Sequence, residues 1–170
     1  IREMLEFHQR KSAEVSVAAI PVEKRLASEF GVIEADTDDR IIGFHEKRTD
    51  APTMPVDPER VYASMGNYVF SARALLRELE RDATDEASSH DFGRDVLPRC
   101  VDKCRVVAYD FVDLNKKAAR YWRDVGTIDA YYEANMDLVA VSPEFNLYDR
   151  EWPLRTRALH QPPAKFVFAQ

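Results

Sequence analysis

The sequence predicts an α/β fold, a mixed sheet with helices on both faces. Three observations carry this. Short valine- and alanine-rich runs such as Glu14–Ile20 and Arg105–Val112 have strand character, while Ala72–Arg81 and Thr127–Val139 have helical periodicity, and the two kinds alternate. Strands interleaved with helices imply a sheet covered on both sides. Two strand-like runs, Gly31–Ala35 and Arg40–Lys47, are joined by the turn-forming cluster Asp36-Thr37-Asp38-Asp39, an antiparallel hairpin that makes the sheet mixed.

In order along the chain, residues 2–11 end a helix with Ile1, Met4, Leu5 and His8 on one face. A strand over Glu14–Ile20 is expected to end at Pro21, and residues 22–30 to form a loop with one helical turn. After the hairpin, Pro52, Pro55 and Pro58 exclude a helix over 48–60. Val61–Phe70 reads as a strand, and Ser71 as the N-cap of a helix that turns Leu75, Leu76 and Leu79 inward. An acidic, serine-bearing loop runs from Asp82 to His90, and residues 92–103 are helical with a break near Pro98. Thr127 caps a helix to about Val139, with Ile128, Tyr131, Tyr132, Met136 and Leu138 available for packing. Ser142-Pro143-Glu144 is a second helix start. The tail from Trp152 to Gln170 holds three prolines and no helical period, and reads as a linker.

Composition excludes several functions. The 170 residues carry a net charge of −6, with 45% hydrophobic and 32% charged residues, the balance of a soluble globular chain of about one domain. The acidic excess disfavours a nucleic-acid surface but leaves room for a local site for one small anion. Charges interrupt every apolar stretch before a membrane span of about 18 residues accumulates. The first residues lack the apolar core and cleavage site of a signal peptide. Cys100 and Cys104 are too few for a disulfide framework and lack zinc-site spacing, so they read as free thiols of a cytoplasmic protein. The five glycines, Gly31, Gly43, Gly66, Gly93 and Gly126, nowhere approach a nucleotide-binding loop. Either the chain handles no nucleotide, or that loop lies on sequence outside these residues; a start inside a helix, without Met, reads as a piece of something longer.

Open α/β sheets bind ligands at the carboxyl ends of their strands. Four places meet that criterion. At the end of the hairpin, Lys47 is a point charge suited to a phosphate and Glu46 an acceptor for sugar hydroxyls; the two serve one ligand only if the strand twists or ends there. Gly66 suggests close approach of a ligand or a backbone, and Ser64 and Tyr68 lie four apart on one strand face. Ser88-Ser89-His90-Asp91-Phe92-Gly93 offers polar groups and an aromatic ring to a sugar. Tyr121-Trp122-Arg123-Asp124-Val125-Gly126-Thr127 offers one carboxylate for Mg²⁺, too few for a complete site. Each has a structural alternative: an exposed charged pair, a glycine bulge, capping by Ser89 or Asp91, and local pairing of Arg123 with Asp124.

Taken together, Phe30-Gly31-Val32, Glu46-Lys47, Ala63-Ser64-Met65-Gly66-Asn67-Tyr68-Val69-Phe70, Ser88 to Asp95, Tyr121 to Thr127 and Pro162-Pro163-Ala164-Lys165-Phe166-Val167 resemble the bacterial glucose-1-phosphate adenylyltransferases (ADP-glucose pyrophosphorylases). The resemblance spans essentially the whole chain. The glutamate–lysine pair alone is shared by many sugar-nucleotide pyrophosphorylases; the last three segments are more specific. The resemblance implies a Rossmann-like, GT-A-like nucleotidyltransferase domain, of which residues 1–151 are the second half, with 152–170 leading to an absent left-handed β-helix. It implies transfer from ATP to glucose 1-phosphate, giving ADP-glucose and pyrophosphate with Mg²⁺ in glycogen synthesis, by a cytoplasmic homotetramer without nucleic-acid or membrane partners. By the match, Lys47 holds the sugar phosphate and Glu46 the glucose hydroxyls; Gly31 lets backbone approach the sugar; Ser64 and Tyr68 line the pocket; Asp91 and Phe92 close over it, with Trp122 nearby; Asp124 is one of two metal-binding aspartates. Arg48 stands where the family usually has proline, and Asn67 where it has an aliphatic residue. With the ATP-binding signature absent from these residues, the isolated chain is expected to be inactive. Another sugar-1-phosphate nucleotidyltransferase, or a non-catalytic regulatory paralogue, are the competing readings.

Overall fold

Val15, Val17 and Ala19 alternate with Ser16, Ala18 and Ile20, and all six are buried, so the first strand has apolar cover on both faces. That is the signature of a central strand. The computed structural model describes residues 1–113, 118–119, 121–147 and 150. They fall into two units, Ile1–Arg120 and Tyr121–Gln170.

In the first unit, helix α1 (Arg2–Arg10) leads to strand β1 (Val15–Glu23), a 3₁₀ turn (Lys24–Glu29), β2 (Gly31–Ala35), β3 (Ile41–Glu46), β4 (Arg60–Phe70), α2 (Ala72–Ala83), a π-helical turn (Phe92–Val96), α3 (Leu97–Lys103) and β5 (Val106–Asp110). The strands form one sheet in the order β3-β2-β4-β1-β5, with β1 and β5 parallel and β4 antiparallel to β1. The short strands β6 (Val112–Asp113) and β7 (Ala118–Ala119) pair separately. On one face of β1, Val15, Val17 and Ala19 pack with Val96, Leu97 and Cys100 of the π turn and α3. On its other face, the Ser16 hydroxyl lies 2.8 Å from His8 Nδ1 of α1. Helices therefore cover both faces, as the alternation predicts.

The hairpin forms where expected: Asp36 Oδ1 accepts from the backbone N–H groups of Asp38 and Arg40, and Asp39 takes φ +64°. Its tip reaches the outer edge of β5, where Arg40 bridges Val107 and the Ala108 N–H donates to the Asp39 carbonyl at 2.8 Å. Ser71 caps α2 by accepting from the Ala74 N–H, and Ser71→Ala is expected to lower the unfolding free energy by about 1 kcal/mol in a denaturant titration.

Several expectations are corrected. Strand β1 does not stop at Pro21 but pairs through it to Glu23; β5 has ended at Ala19, so one edge there needs no donor. In α1 the buried residues are Met4 and Phe7, whereas Ile1 and Leu5 are exposed. In α2 the buried face is Ala74, Glu78 and Asp82, with Leu76 and Leu79 exposed. Arg77 and Arg81 pair with Glu78, and Arg99 with Asp82, which makes burial of both carboxylates tolerable. The run 92–103 does divide beside Pro98, between Val96 and Leu97, but the proline itself sits in the first turn of α3, where no N–H is needed.

In the second unit, α4 (Ile128–Val139) is capped by Thr127, whose Oγ1 accepts from the Ala130 N–H at 3.1 Å. None of its residues is buried, so Ile128, Tyr131, Tyr132 and Met136 are exposed rather than packed. Ser142–Glu144 forms bends, not a helix. The ties of Tyr121 and Arg123 are local, to Glu133 and Asp137 of α4. The 152–170 segment, with its Pro162–Val167 motif, lies outside the described residues.

Candidate functional site

Three strands bring the first group of residues level with one another. Gly31 pairs with Glu46 across β2 and β3, and by the β2–β4 register Gly31 lies beside Ser64. Strand β3 ends at Glu46, and Lys47 takes the left-handed conformation (φ +51°) with its N–H donating to the Phe30 carbonyl at 3.0 Å. The strand thus ends between the two charged residues, so strict opposite-face alternation no longer applies to them, the condition for both to meet one ligand. The exposed Lys47 ammonium has no carboxylate partner among the described residues, so Glu46 and Lys47 are not a mutually neutralised surface pair. Arg48, in the place of the family's proline, closes on Asp50 through two bonds of 2.9 and 2.7 Å and leaves Lys47 alone.

Ser64 and Tyr68 keep the shared face of residues four apart in a strand, despite a bulge between them. Ser64 pairs with Ala19 and Tyr68 with Val17, so four residues of β4 span two of β1. Gly66 supplies the bulge with φ +70°, and a Cβ there would touch nothing within 4 Å. Its positive φ is what the bulge requires, and no other protein backbone approaches it closely. Tyr68 hydrogen-bonds Ser64; burial pushes its phenol pKa up, the Ser64 bond pulls it down, and the Glu46 and Asp91 charges push it up again. Net upward, the phenol keeps its proton at neutral pH and can donate to a ligand hydroxyl.

Asp91 and Phe92 approach from the π turn. The Phe92 ring stacks on Tyr68 with centroids 5.9 Å apart, and Phe70 meets Phe92 edge-on at 5.9 Å. Glu46 Oε2 and Asp91 Oδ1 lie 2.6 and 3.4 Å from the point a Cβ on Gly93 would occupy, so both carboxylates converge there. Gly93 is the site residue that sequence reasoning passed over, although it closes the Ser88–Gly93 segment already singled out. At Gly31 the missing side chain makes room for the Phe44 ring and the Glu46 carboxylate, at 2.6 and 2.8 Å from a hypothetical Cβ. Within the protein, the absent side chain is what lets these two neighbours pack against the β2 backbone. Asp91 also caps the π turn, accepting from the Arg94 N–H at 2.8 Å, so the capping alternative holds beside the site role.

The structure therefore assembles Gly31, Glu46, Ser64, Tyr68, Asp91 and Phe92, with Lys47 at the strand end. Only Lys47 stands just past a strand; Gly31, Ser64 and Tyr68 lie within strands. A shallow cleft of about 410 Å³, lined by Leu79, Asp82, Ala83, His90, Phe92 and Val96, shares only Phe92 with this group.

The remaining two candidates belong to the second unit. Trp122 is half-buried, and Asp124 is exposed. Arg123 does not pair with Asp124; its guanidinium bonds Asp137 Oδ2 at 2.8 Å and Glu133 Oε2 at 3.3 Å. The Asp124 carboxylate curls over Gly126, 3.1 Å from where a Cβ would stand, and has no ion-pair partner among the described residues. No group of three metal-ligating side chains occurs among the described residues. One free carboxylate fits Mg²⁺, which takes one or two from the protein and fills the rest with water and phosphate oxygens, as a single ligand and not as a complete site.

A mixed α/β sheet and the π turn beside it thus bring two carboxylates, a protonated phenol and an exposed lysine together. The chain belongs to the nucleotidyl transferase family, whose model matches residues 1–140. It is 52% identical over 173 residues to a glucose-1-phosphate adenylyltransferase of Anaeromyxobacter dehalogenans, covering 98% of this chain and 42% of that protein. A relative of the same name from Thermus thermophilus is 51% identical (98% and 42% covered), and glucose-1-phosphate adenylyltransferase 1 of Vibrio cholerae is 46% identical (98% and 42%). The chain thus spans about 42% of the length of these relatives. No described helix is long and apolar enough to cross a membrane.

Proposed function

We propose that this chain carries the sugar-phosphate half of a glucose-1-phosphate adenylyltransferase site, acting in the cytoplasm in the transfer that yields ADP-glucose and pyrophosphate. The observation that carries the reading is the convergence of Glu46, Asp91, Ser64 and Tyr68 beside an uncompensated Lys47. The names of the relatives supply the substrates.

In this reading a phosphate oxygen of glucose 1-phosphate attacks the α-phosphorus of ATP, and pyrophosphate leaves. Such transfer needs alignment and charge compensation more than covalent help from the protein. Lys47 binds the sugar phosphate as a point charge and aims the attacking oxygen. Glu46 and Asp91 accept hydrogen bonds from glucose hydroxyls, Tyr68 donates one, and Phe92 covers the ring and excludes water. Asp124 is the chain's contribution to holding Mg²⁺. When bound, that ion offsets the charge developing on the phosphates.

The test is an assay of the complete gene product with glucose 1-phosphate, Mg²⁺ and each nucleoside triphosphate in turn, following pyrophosphate and nucleotide-sugar release. Turnover is expected with ATP. Turnover confined to another triphosphate would move the protein to a different pyrophosphorylase class, and none with any would overturn the reading. The 170-residue chain alone is expected to be inactive in the same assay.

A further inference from the structure

The loop that delivers Asp91 and Phe92 is clamped by two carboxylates. Asp95 accepts from the Ser89 N–H (3.2 Å), the Ser89 hydroxyl (2.6 Å) and the Asp91 N–H (3.1 Å). Asp82 of α2, only 4% exposed, accepts from the Ser88 hydroxyl (2.6 Å), from His90 Nδ1 (2.8 Å) and from Arg99. Arg99 ties the two anchors together, its Nε donating to the Asp95 carbonyl at 2.8 Å. Hydrogen bonds from Ser88 and His90 hold the Asp82 carboxyl below its usual range, so it stays an acceptor.

His90 is the unusual member. Its backbone is left-handed, φ +58°, which residues with a Cβ seldom adopt. Its side chain is 61% exposed, so burial does not hold it there. What it has is the bond to Asp82, and the very next residues, Asp91 and Phe92, face Glu46 and Tyr68.

We propose that His90 is a positioning residue: its bond to the buried Asp82 carboxylate fixes the left-handed turn at residue 90 and so seats Asp91 and Phe92 over the sugar. The proposal rests on the reading of that cluster as a sugar site.

Three variants of the complete gene product separate the bond from the backbone. His90→Gly relieves the backbone but has no donor. His90→Asn keeps both, since asparagine tolerates positive φ and its Nδ2 stands where His Nδ1 stands. His90→Ala loses both. His90→Gly and His90→Ala are expected to raise KM for glucose 1-phosphate roughly tenfold, the loss of one charge-assisted bond, with kcat and the KM for ATP within about twofold. His90→Asn should stay within about threefold of the unaltered protein. Without substrate, amide exchange over residues 89–92 should speed up about tenfold in His90→Gly but not in His90→Asn, while the α3 amides stay unchanged.

Equal exchange and KM in His90→Gly and the unaltered protein would overturn the proposal. So would equal rises in KM for both substrates, or failure of His90→Asn to rescue. If the unaltered protein transfers no nucleotidyl group, the sugar-site reading falls, and the exchange measurement alone decides whether the His90–Asp82 bond orders the loop.

Discussion

Lys47→Ala is expected to lower kcat/KM for glucose 1-phosphate by about 30- to 1000-fold, equivalent to about 2–4 kcal/mol for one partner removed from a charge-assisted contact. The ammonium has no carboxylate partner among the described residues to compete with a phosphate, so its whole charge is available to the ligand. The loss should appear in KM for the sugar phosphate, with KM for ATP nearly unchanged. Stability should barely move. Lysine already accepts φ +51° at this position, and alanine meets the same backbone demand. Because Lys47 is exposed, the contact should weaken as ionic strength rises, and the gap between the two proteins should narrow in high salt. Steady-state kinetics at two salt concentrations, with a thermal melt as control, decide it. An unchanged KM would remove Lys47 from the site.

What was legible in the sequence is what depends on local chemistry. The Asp36–Asp39 turn, the caps Ser71 and Thr127, and the end of the third strand at Glu46-Lys47 are each written in a few adjacent residues. The segments around Glu46, Ser64 and Asp91 stand out for their polar groups near a strand end or a helix entrance, but that they belong together came only from the family resemblance. Features set by distant partners were not legible. Helix α2 shows three leucines at helical spacing, yet it buries Glu78 and Asp82, because arginines on α2 itself and at Arg99 neutralise them. Nothing within ten residues of Asp82 announces Arg99. Pro21 looks like a strand end until the neighbouring strand is seen to stop two residues earlier. Gly66 and Gly31 are both glycines in strands, but one serves a positive φ and the other a crowded contact. Only the register and the side chains across it tell them apart.

That second kind of glycine gives the other large expected effect. A Cβ at Gly31 would stand 2.6 Å from Phe44 Cζ and 2.8 Å from both Phe44 Cε1 and Glu46 Oε2. All three are outer atoms of side chains, so in Gly31→Ala the neighbours can rotate and the chain still folds. The stability loss should fall at the low end of the roughly 1–3 kcal/mol typical of overpacking. Rotation, however, takes the Glu46 carboxylate from the point it shares with Asp91 beside Gly93. Gly31→Ala is therefore expected to raise KM for glucose 1-phosphate by roughly 10- to 100-fold, the loss of a hydrogen bond to a charged group, while ATP binding is spared. A double-mutant cycle identifies the cause. If Gly31 acts by making room for Glu46, then Gly31→Ala in a Glu46→Ala background should cost little further affinity, because the displaced group is already gone. Additive losses would mean that the glycine faces the sugar itself, and the role assigned to its neighbour would have to be withdrawn.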